Sequence, residues 1–197
     1  MSGADHIRRV IRCRLHRMGL GILRSVIPFD AWHANSPYSC RPYKKVVVDI
    51  VNSLQPDTVV EVGCGLGDIL SRVRARERFG FDIDSAAIRA ARLLHPGRVR
   101  WIVEEAATIG RHMPLGTRIG CLIMVNWIHN LRPEQLAACV LPLLPRTDYL
   151  LLDSIVPHAP PSYRYHHQFE FLSGVAKSVS RASVPGEPRE FVLYKVR

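Results

Sequence analysis

Three glycines at alternate positions, Gly63, Gly65 and Gly67, lie in the segment Glu61-Val62-Gly63-Cys64-Gly65-Leu66-Gly67, directly after a β-branched run. A strand that enters such a turn carries no Cβ atoms there, so a ligand can approach the backbone closely. Open parallel sheets bind ligands at the carboxyl ends of their strands. The G-x-G-x-G spacing is not the dinucleotide fingerprint, and no Gly-Lys-Ser/Thr follows to make a P-loop. A second apolar run, Phe79–Ile83, carries Asp82 near its end. A carboxylate there can accept both hydroxyls of a ribose. Further on, Asn126-Trp127-Ile128-His129-Asn130 follows a fourth apolar run, and Leu150-Leu151-Leu152-Asp153-Ser154 ends a fifth. Histidine is the side chain that ordinarily titrates nearest neutral pH, which makes His129 a candidate general base. Asp153 can orient a histidine, bind a substrate hydroxyl or hold a cation. A later stretch offers His158, Tyr163, Tyr165, His166, His167 and Glu170. Neighbouring side chains of an extended segment point to opposite faces, so one of His166 and His167 faces a site there. Tyr38 and Tyr43 are candidates for closing over a ligand, or are ordinary packed aromatics.

The elements that must position these groups follow from hydrophobic periodicity. Strands are expected over Thr58–Val62, Phe79–Ile83, Val99–Val103, Cys121–Val125 and Tyr149–Ile155. Helices are expected over Lys44–Leu54, Asp68–Arg76, from an N-cap at Ser85 to Leu94, and over Pro133–Leu144. This alternation predicts an α/β domain with a mostly parallel sheet and helices on both faces. Glu190–Val196 alternates as a strand with no helix after it, which predicts an antiparallel edge strand. The 197 residues suit one domain. Within it, 1–43 is an N-terminal helix and capping segment, 44–156 the ligand-binding core, and 157–197 an acceptor loop and final strand.

The chain carries 27 basic against 17 acidic residues, a net charge of +10. That raises nucleic acid, anionic lipid or a phosphorylated substrate as partners without bearing on the fold. Half of the excess lies in Ala4–Ile27, where Arg8, Arg9, Arg12, Arg14, Arg17 and Arg24 face Asp5 alone. Ile7, Val10, Ile11, Leu15, Met18 and Ile22 recur there at helical spacing. Such a helix can lie on a membrane or on RNA, or cap the core with a solvated arginine face. The following stretch, Phe29–Tyr43, reads as a loop. Hydrophobic residues make up 47% of the chain, which argues against wholesale disorder. No uncharged run approaches the roughly 18–20 residues that span a bilayer. Cys13, Cys40, Cys64, Cys121 and Cys139 are odd in number and lack zinc-ligand spacing. They are expected to be reduced thiols of a cytoplasmic protein.

The set E-x-G-x-G-x-G followed by G-x-D resembles the class I S-adenosylmethionine-dependent methyltransferases over roughly Lys44 to Val156. The resemblance implies a Rossmann-like sheet and S-adenosylmethionine as cofactor. It implies that Gly63, Gly65 and Gly67, with Cys64 among them, line the cofactor's methionine portion and that Glu61 supports the loop. Asp82 would take the ribose hydroxyls and Ile83 the adenine face. Asp84 would be a helix-start acid. Glu105-Ala106 would sit by the adenine amine, with Glu104 as competitor. Asn126 would lie beside the transferred methyl, and Tyr38 would close over the site. Cation-dependent relatives hold Mg²⁺ with acids at the ends of strands four and five. Here Asn126 replaces the first, which leaves Asp153 as a candidate magnesium ligand.

The segment from Trp32 to Tyr43 and the His-Tyr stretch also resemble small mycobacterial sugar O-methyltransferases. That resemblance implies a short mannoside acceptor, methylated on the 1-hydroxyl of 3-O-methylated mannosides in methylmannose polysaccharide biosynthesis. The base would be His129 or a histidine of the 158–167 stretch. RNA methylation is the alternative that the charge favours. The lack of a separate RNA-binding module and of an N-P-P-Y/F motif argues against nucleic acid. A homodimer is expected, since so small a domain has little material to enclose a site alone.

Overall fold

Strand β1 (Thr58–Val62) is buried along its whole length, an interior strand of the sheet. A computed structural model describes residues 3–113, 116–156 and 163–197. Before β1 come α1 (Gly3–Val26), α2 (Ala31–Asn35) and α3 (Pro42–Ser53). After it follow β2 (Glu77–Asp82), α4 (Ser85–Leu94), β3 (Val99–Val103), β4 (Ile119–Met124), α5 (Pro133–Val140), β5 (Thr147–Ile155), β6 (Ala176–Ser183) and β7 (Arg189–Val196). The described residues form a seven-stranded sheet in the order β3-β2-β1-β4-β5-β7-β6. The first five strands of that order are parallel, and β7 pairs antiparallel with both β5 and β6.

Period-two alternation sends the strand side chains to two cores. Val59, Cys121, Ile123, Leu151, Phe191 and Leu193 meet Val47 and Val51 of α3 and Ile88 of α4. Val60, Val62, Phe81, Leu122, Met124 and Leu152 meet Leu136 and Val140 of α5. A third cluster docks Leu20 of α1, Phe29 of the connection that follows it and Ala34 of α2 onto Ala86, Ala87 and Ala90 of α4.

Five expectations need correction. The stretch Asp68–Arg76 holds only a 3-10 turn, Leu70–Arg72. Leu70 N–H is taken by the Glu61 carboxylate, and β2 begins at Glu77, which leaves too little chain for a helix. The N-cap of α4 is Asp84, not Ser85, since Asp84 Oδ1 accepts from Ala86 N–H at 2.8 Å. Phe29–Tyr43 is not all loop: Asp30 caps α2 through Trp32 N–H. The C-terminal strand is not the edge. Strand β6, almost wholly exposed, covers β7, and its polar sequence gives no inward-facing alternation.

The fifth correction concerns the thiols. Cys13 and Cys40 form a disulfide across a separation of 27 residues, while Cys64, Cys121 and Cys139 are free and buried. No local spacing announces a pair that only the docking of α1 brings together. A closed loop of that length constrains the unfolded chain. Reduction is expected to lower the unfolding free energy by about 3.5 kcal/mol, read from urea denaturation with and without reductant.

Candidate functional site

The carboxyl end of β1 feeds a loop in which Gly63, Gly65 and Gly67 all adopt positive φ (70°, 53° and 76°). Side chains rarely tolerate that backbone, and here space forbids them as well. A Cβ on Gly63 would lie 2.2 Å from the Trp127 ring, and one on Gly65 would lie 2.6 Å from the His33 ring. One on Gly67 would lie 2.3 Å from the Trp101 ring. Gly63 N–H and Cys64 N–H both donate to Phe81 C=O of β2, at 2.7 and 3.0 Å. Gly65 N–H donates to Asp82 Oδ2 at 2.7 Å. Asp84 N–H donates to Asp82 Oδ1 at 2.9 Å. One carboxylate therefore braces both the glycine loop and the start of α4, and each oxygen keeps acceptor capacity for a further donor.

Glu61 lies under the same loop. Its Oε2 accepts from Leu70 N–H at 3.1 Å. Burial pushes its pKa up to about 8, against the opposing pull of Lys44. The Lys44 ammonium donates to Asp68 Oδ2 and to Ser36 C=O, each at 2.7 Å. This ties the approach to α3 to the far side of the loop.

Beyond the loop lies a cavity of about 810 Å³, a volume suited to a small-molecule ligand. Gly63, Asp82, Ile83, Glu104, Glu105, Ala106 and Asn126 line it, together with Trp32, His33 and Trp127. A lobe of about 40 Å³ adjoins Tyr43, Glu61, Gly63, Cys64, Gly65 and Asn126. Glu104 and Glu105 are not equivalent. Glu104 Oε1 accepts from Thr108 Oγ1 at 2.6 Å and from Glu105 N–H at 3.0 Å, and its carboxylate also meets His112. Glu105 is exposed at the cavity wall, and its carboxylate takes part in none of these bonds.

Several expected site residues lie elsewhere among the described residues. Tyr38 sits beneath the Arg72 guanidinium, 4.1 Å from its ring centroid, and lines neither cavity nor lobe. His166 is exposed, while His167 is buried and donates through Nε2 to Ile128 C=O at 3.0 Å. His158 lies outside the described residues. His129 is buried behind the cavity wall. Its Nδ1 donates to Tyr165 C=O at 3.1 Å, and its Nε2 lies 3.4 Å from Asp153 Oδ1. Tyr163 packs edge-on against its ring. His129, the candidate base, thus lines neither the cavity nor its lobe among the described residues.

Asp153 is the centre of a buried polar cluster. Its Oδ1 accepts from Asn126 N–H at 2.8 Å, and its Oδ2 accepts from Arg189 Nη1 at 3.0 Å. The same Nη1 donates to Asn126 Oδ1 at 2.9 Å. The guanidinium also lies over the Tyr43 ring, 4.3 Å from its centroid. These bonds hold Asn126 at φ 74°, ψ −65°, a tight turn closed by Trp127 N–H on Val125 C=O. Asn126 joins cavity and lobe, so this unusual backbone sits at the wall of the site.

The donor set does not suit magnesium. Mg²⁺ takes oxygen ligands, usually one or two carboxylates with waters. Asp153 already faces a guanidinium, its strand-four neighbour is an amide engaged by the same guanidinium, and Glu187, the further acid of the cluster, is taken by Arg189 Nη2 at 3.2 Å. Among the described residues no cluster of metal-ligating side chains occurs. The candidate role of Asp153 as a magnesium ligand is therefore withdrawn. EDTA is expected to leave transfer of a labelled methyl group unchanged.

Two contributors escaped sequence reading. His33 reaches the site only because α2 docks on α4. Arg189 had a signal: alternation in β7 puts it on the same inward face as Phe191 and Leu193.

No protein-family model and no curated protein sequence matches the chain. Solved structures do. The N-methyltransferase NodS from Bradyrhizobium japonicum, in complex with S-adenosyl-L-homocysteine, superposes with a TM-score of 0.71 at 11% identity, over 89% of this chain and 97% of that one. Magnesium protoporphyrin IX methyltransferase from Synechocystis, also bound to S-adenosylhomocysteine, gives 0.62 at 15% identity, over 96% and 100%. An rRNA-methylase structure from Clostridium thermocellum gives 0.59 at 18% identity, over 78% and 96%. The likeness establishes the fold: the chain has the Rossmann-like architecture of class I methyltransferases.

Proposed function

We propose that the chain is an S-adenosylmethionine-dependent methyltransferase that acts on a sugar hydroxyl, the 1-hydroxyl of a 3-O-methylated mannoside. The observation that carries the first half is the glycine loop braced by Asp82 at the mouth of the 810 Å³ cavity. The cradle fits the cofactor. Gly63 lines both the cavity and its lobe, where the methionine portion would lie, Asp82 has acceptor capacity for ribose hydroxyls, and Ile83 offers an apolar face to adenine. Glu105 and Ala106 stand where the adenine amine would be read. When bound, the cofactor supplies a sulfonium methyl group as electrophile.

The acceptor half rests on the rest of the lining. Trp32 offers an aromatic face, and Asn126, Asn130 and Gln135 offer amides to a hydroxyl-rich ligand. With His129 lining neither cavity nor lobe, His33 is the better base. It lines both cavity and lobe. Burial lowers its pKa, with Asp82 opposing, so the imidazole is neutral and ready to take the hydroxyl proton at pH 7. A lowered pKa also fixes the sign of the pH dependence. Turnover should persist below the usual histidine midpoint of about 6.5 and fall only on further acidification. In His33→Gln, turnover should drop by roughly 10²–10⁴-fold and the acid limb of the pH profile should vanish. An unchanged limb would take the base away from His33.

The deciding assay transfers a labelled methyl group and compares 3-O-methylmannosides, unmethylated mannosides and RNA. Labelling of RNA alone would overturn the sugar reading. Failure to bind S-adenosylhomocysteine at millimolar concentration in a calorimeter would overturn the methyltransferase reading itself. The cytoplasm is the compartment proposed; the Cys13–Cys40 disulfide opposes it, since reducing compartments keep thiols free, and thiol labelling of the protein in fresh cell extract decides between them.

A further inference from the structure

Helix α1 is docked by the side its sequence would least suggest. Cys13 is bonded to Cys40, His16 Nδ1 lies 3.1 Å from Ser39 Oγ, and Leu20 is buried in the cluster with α2 and α4. Arg24 Nε donates to Phe29 C=O at 2.8 Å. This side faces the protein. On the other side, Ile7, Ile11, Leu15, Met18, Ile22 and Val26 are 53 to 78% exposed. Their spacing of three and four residues lines them up as one continuous apolar stripe. Arg8 and Arg12 follow one border of that stripe and Arg14 the other, all three exposed, while Arg17 turns back to donate to Asn35 C=O at 3.1 Å. Asp5 is the helix's only acid. No helix among the described residues is long and apolar enough to cross a membrane.

We propose that α1 is a membrane-surface anchor that lies in the plane of an anionic bilayer. The apolar stripe enters the acyl boundary, and the bordering guanidinium groups meet lipid phosphates. Charge complementarity selects this occupant. A second copy packed stripe to stripe would bring two arginine borders together with almost no acid to offset them. RNA would engage the arginines and leave the stripe in water. The proposal is independent of the methyl-transfer reading, since no α1 residue lines the cavity beside the glycine loop.

The test is co-sedimentation of the full chain with vesicles of phosphatidylglycerol and phosphatidylcholine, against pure phosphatidylcholine. Binding to the anionic vesicles should exceed binding to the neutral ones at least tenfold and should weaken in high salt. Leu15→Glu with Ile22→Glu should abolish it, as should Arg8→Glu with Arg12→Glu. Both pairs are exposed, so the thermal midpoint should stay that of the parent. No sedimentation with anionic vesicles would overturn the proposal. So would a lipid-free dimer that Leu15→Glu splits, which would assign the stripe to a second copy. RNA binding that needs Arg8 and Arg12 but ignores Leu15, with no vesicle binding, would overturn it in favour of RNA.

Discussion

Replacing Arg189 by methionine is expected to destabilise the folded chain by about 3–5 kcal/mol, because it strips the cation from a carboxylate that stays buried. Asp153 is fully buried, and Arg189 supplies the donor to its Oδ2. The same change removes the donor to Asn126 Oδ1. For a domain of this size the loss corresponds to a fall on the order of 10 °C in the thermal midpoint. Removing the charge as well should recover much of it, so Arg189→Met with Asp153→Leu should be more stable than Arg189→Met alone. Urea denaturation of the two variants and the parent gives the comparison. Parental stability in the single variant would mean that the pair contributes nothing to holding the site.

The second large effect is on ligand binding. Asp82→Ala should raise the dissociation constant for S-adenosylhomocysteine by at least a hundredfold, or about 2.7 kcal/mol. Two bonds from backbone N–H groups to one carboxylate are lost, those of Gly65 and Asp84, each charge-assisted and worth about 1.5–3 kcal/mol. The ribose contact proposed for the same oxygens goes with them. Asp82→Asn should be intermediate, since an amide keeps one acceptor oxygen and turns a donor toward the other N–H. Calorimetric titration of the three proteins tests the order. Parental affinity in Asp82→Ala would remove Asp82 from the cofactor's reach.

How far the fold could be read depended on how local its causes are. Strands β1, β2, β3 and β5 are runs of β-branched or large apolar residues, and three alternating glycines fix where β1 must stop. Their cause is inside the segment, and so is the parallel class that alternation with helices implies. The 3-10 turn at Leu70–Arg72 could not be read, because it depends on Glu61 capturing Leu70 N–H across the loop. Strand β6 is exposed and polar, and only pairing with β7 makes it a strand. The site divides in the same way. The glycine loop, Asp82, Glu105 and Asn126 are legible because each stands at a strand end or just beyond it. His33 depends on helix docking and Arg189 on the order of strands in the sheet. The histidines differ from that reading because a titratable type says nothing about burial: His129 and His167 are both buried, each with one ring nitrogen bonded to a backbone carbonyl.

The place of Arg189 also bears on the order in which the molecule can come into being. The glycine loop and its Asp82 brace are complete once α4 begins, yet the cation that neutralises Asp153 and holds Asn126 opens β7. During synthesis from the amino end, the nascent sheet therefore carries an uncompensated acid at its ligand edge until β7 threads between β5 and β6. The wall of the cavity acquires its final shape only when that insertion is complete.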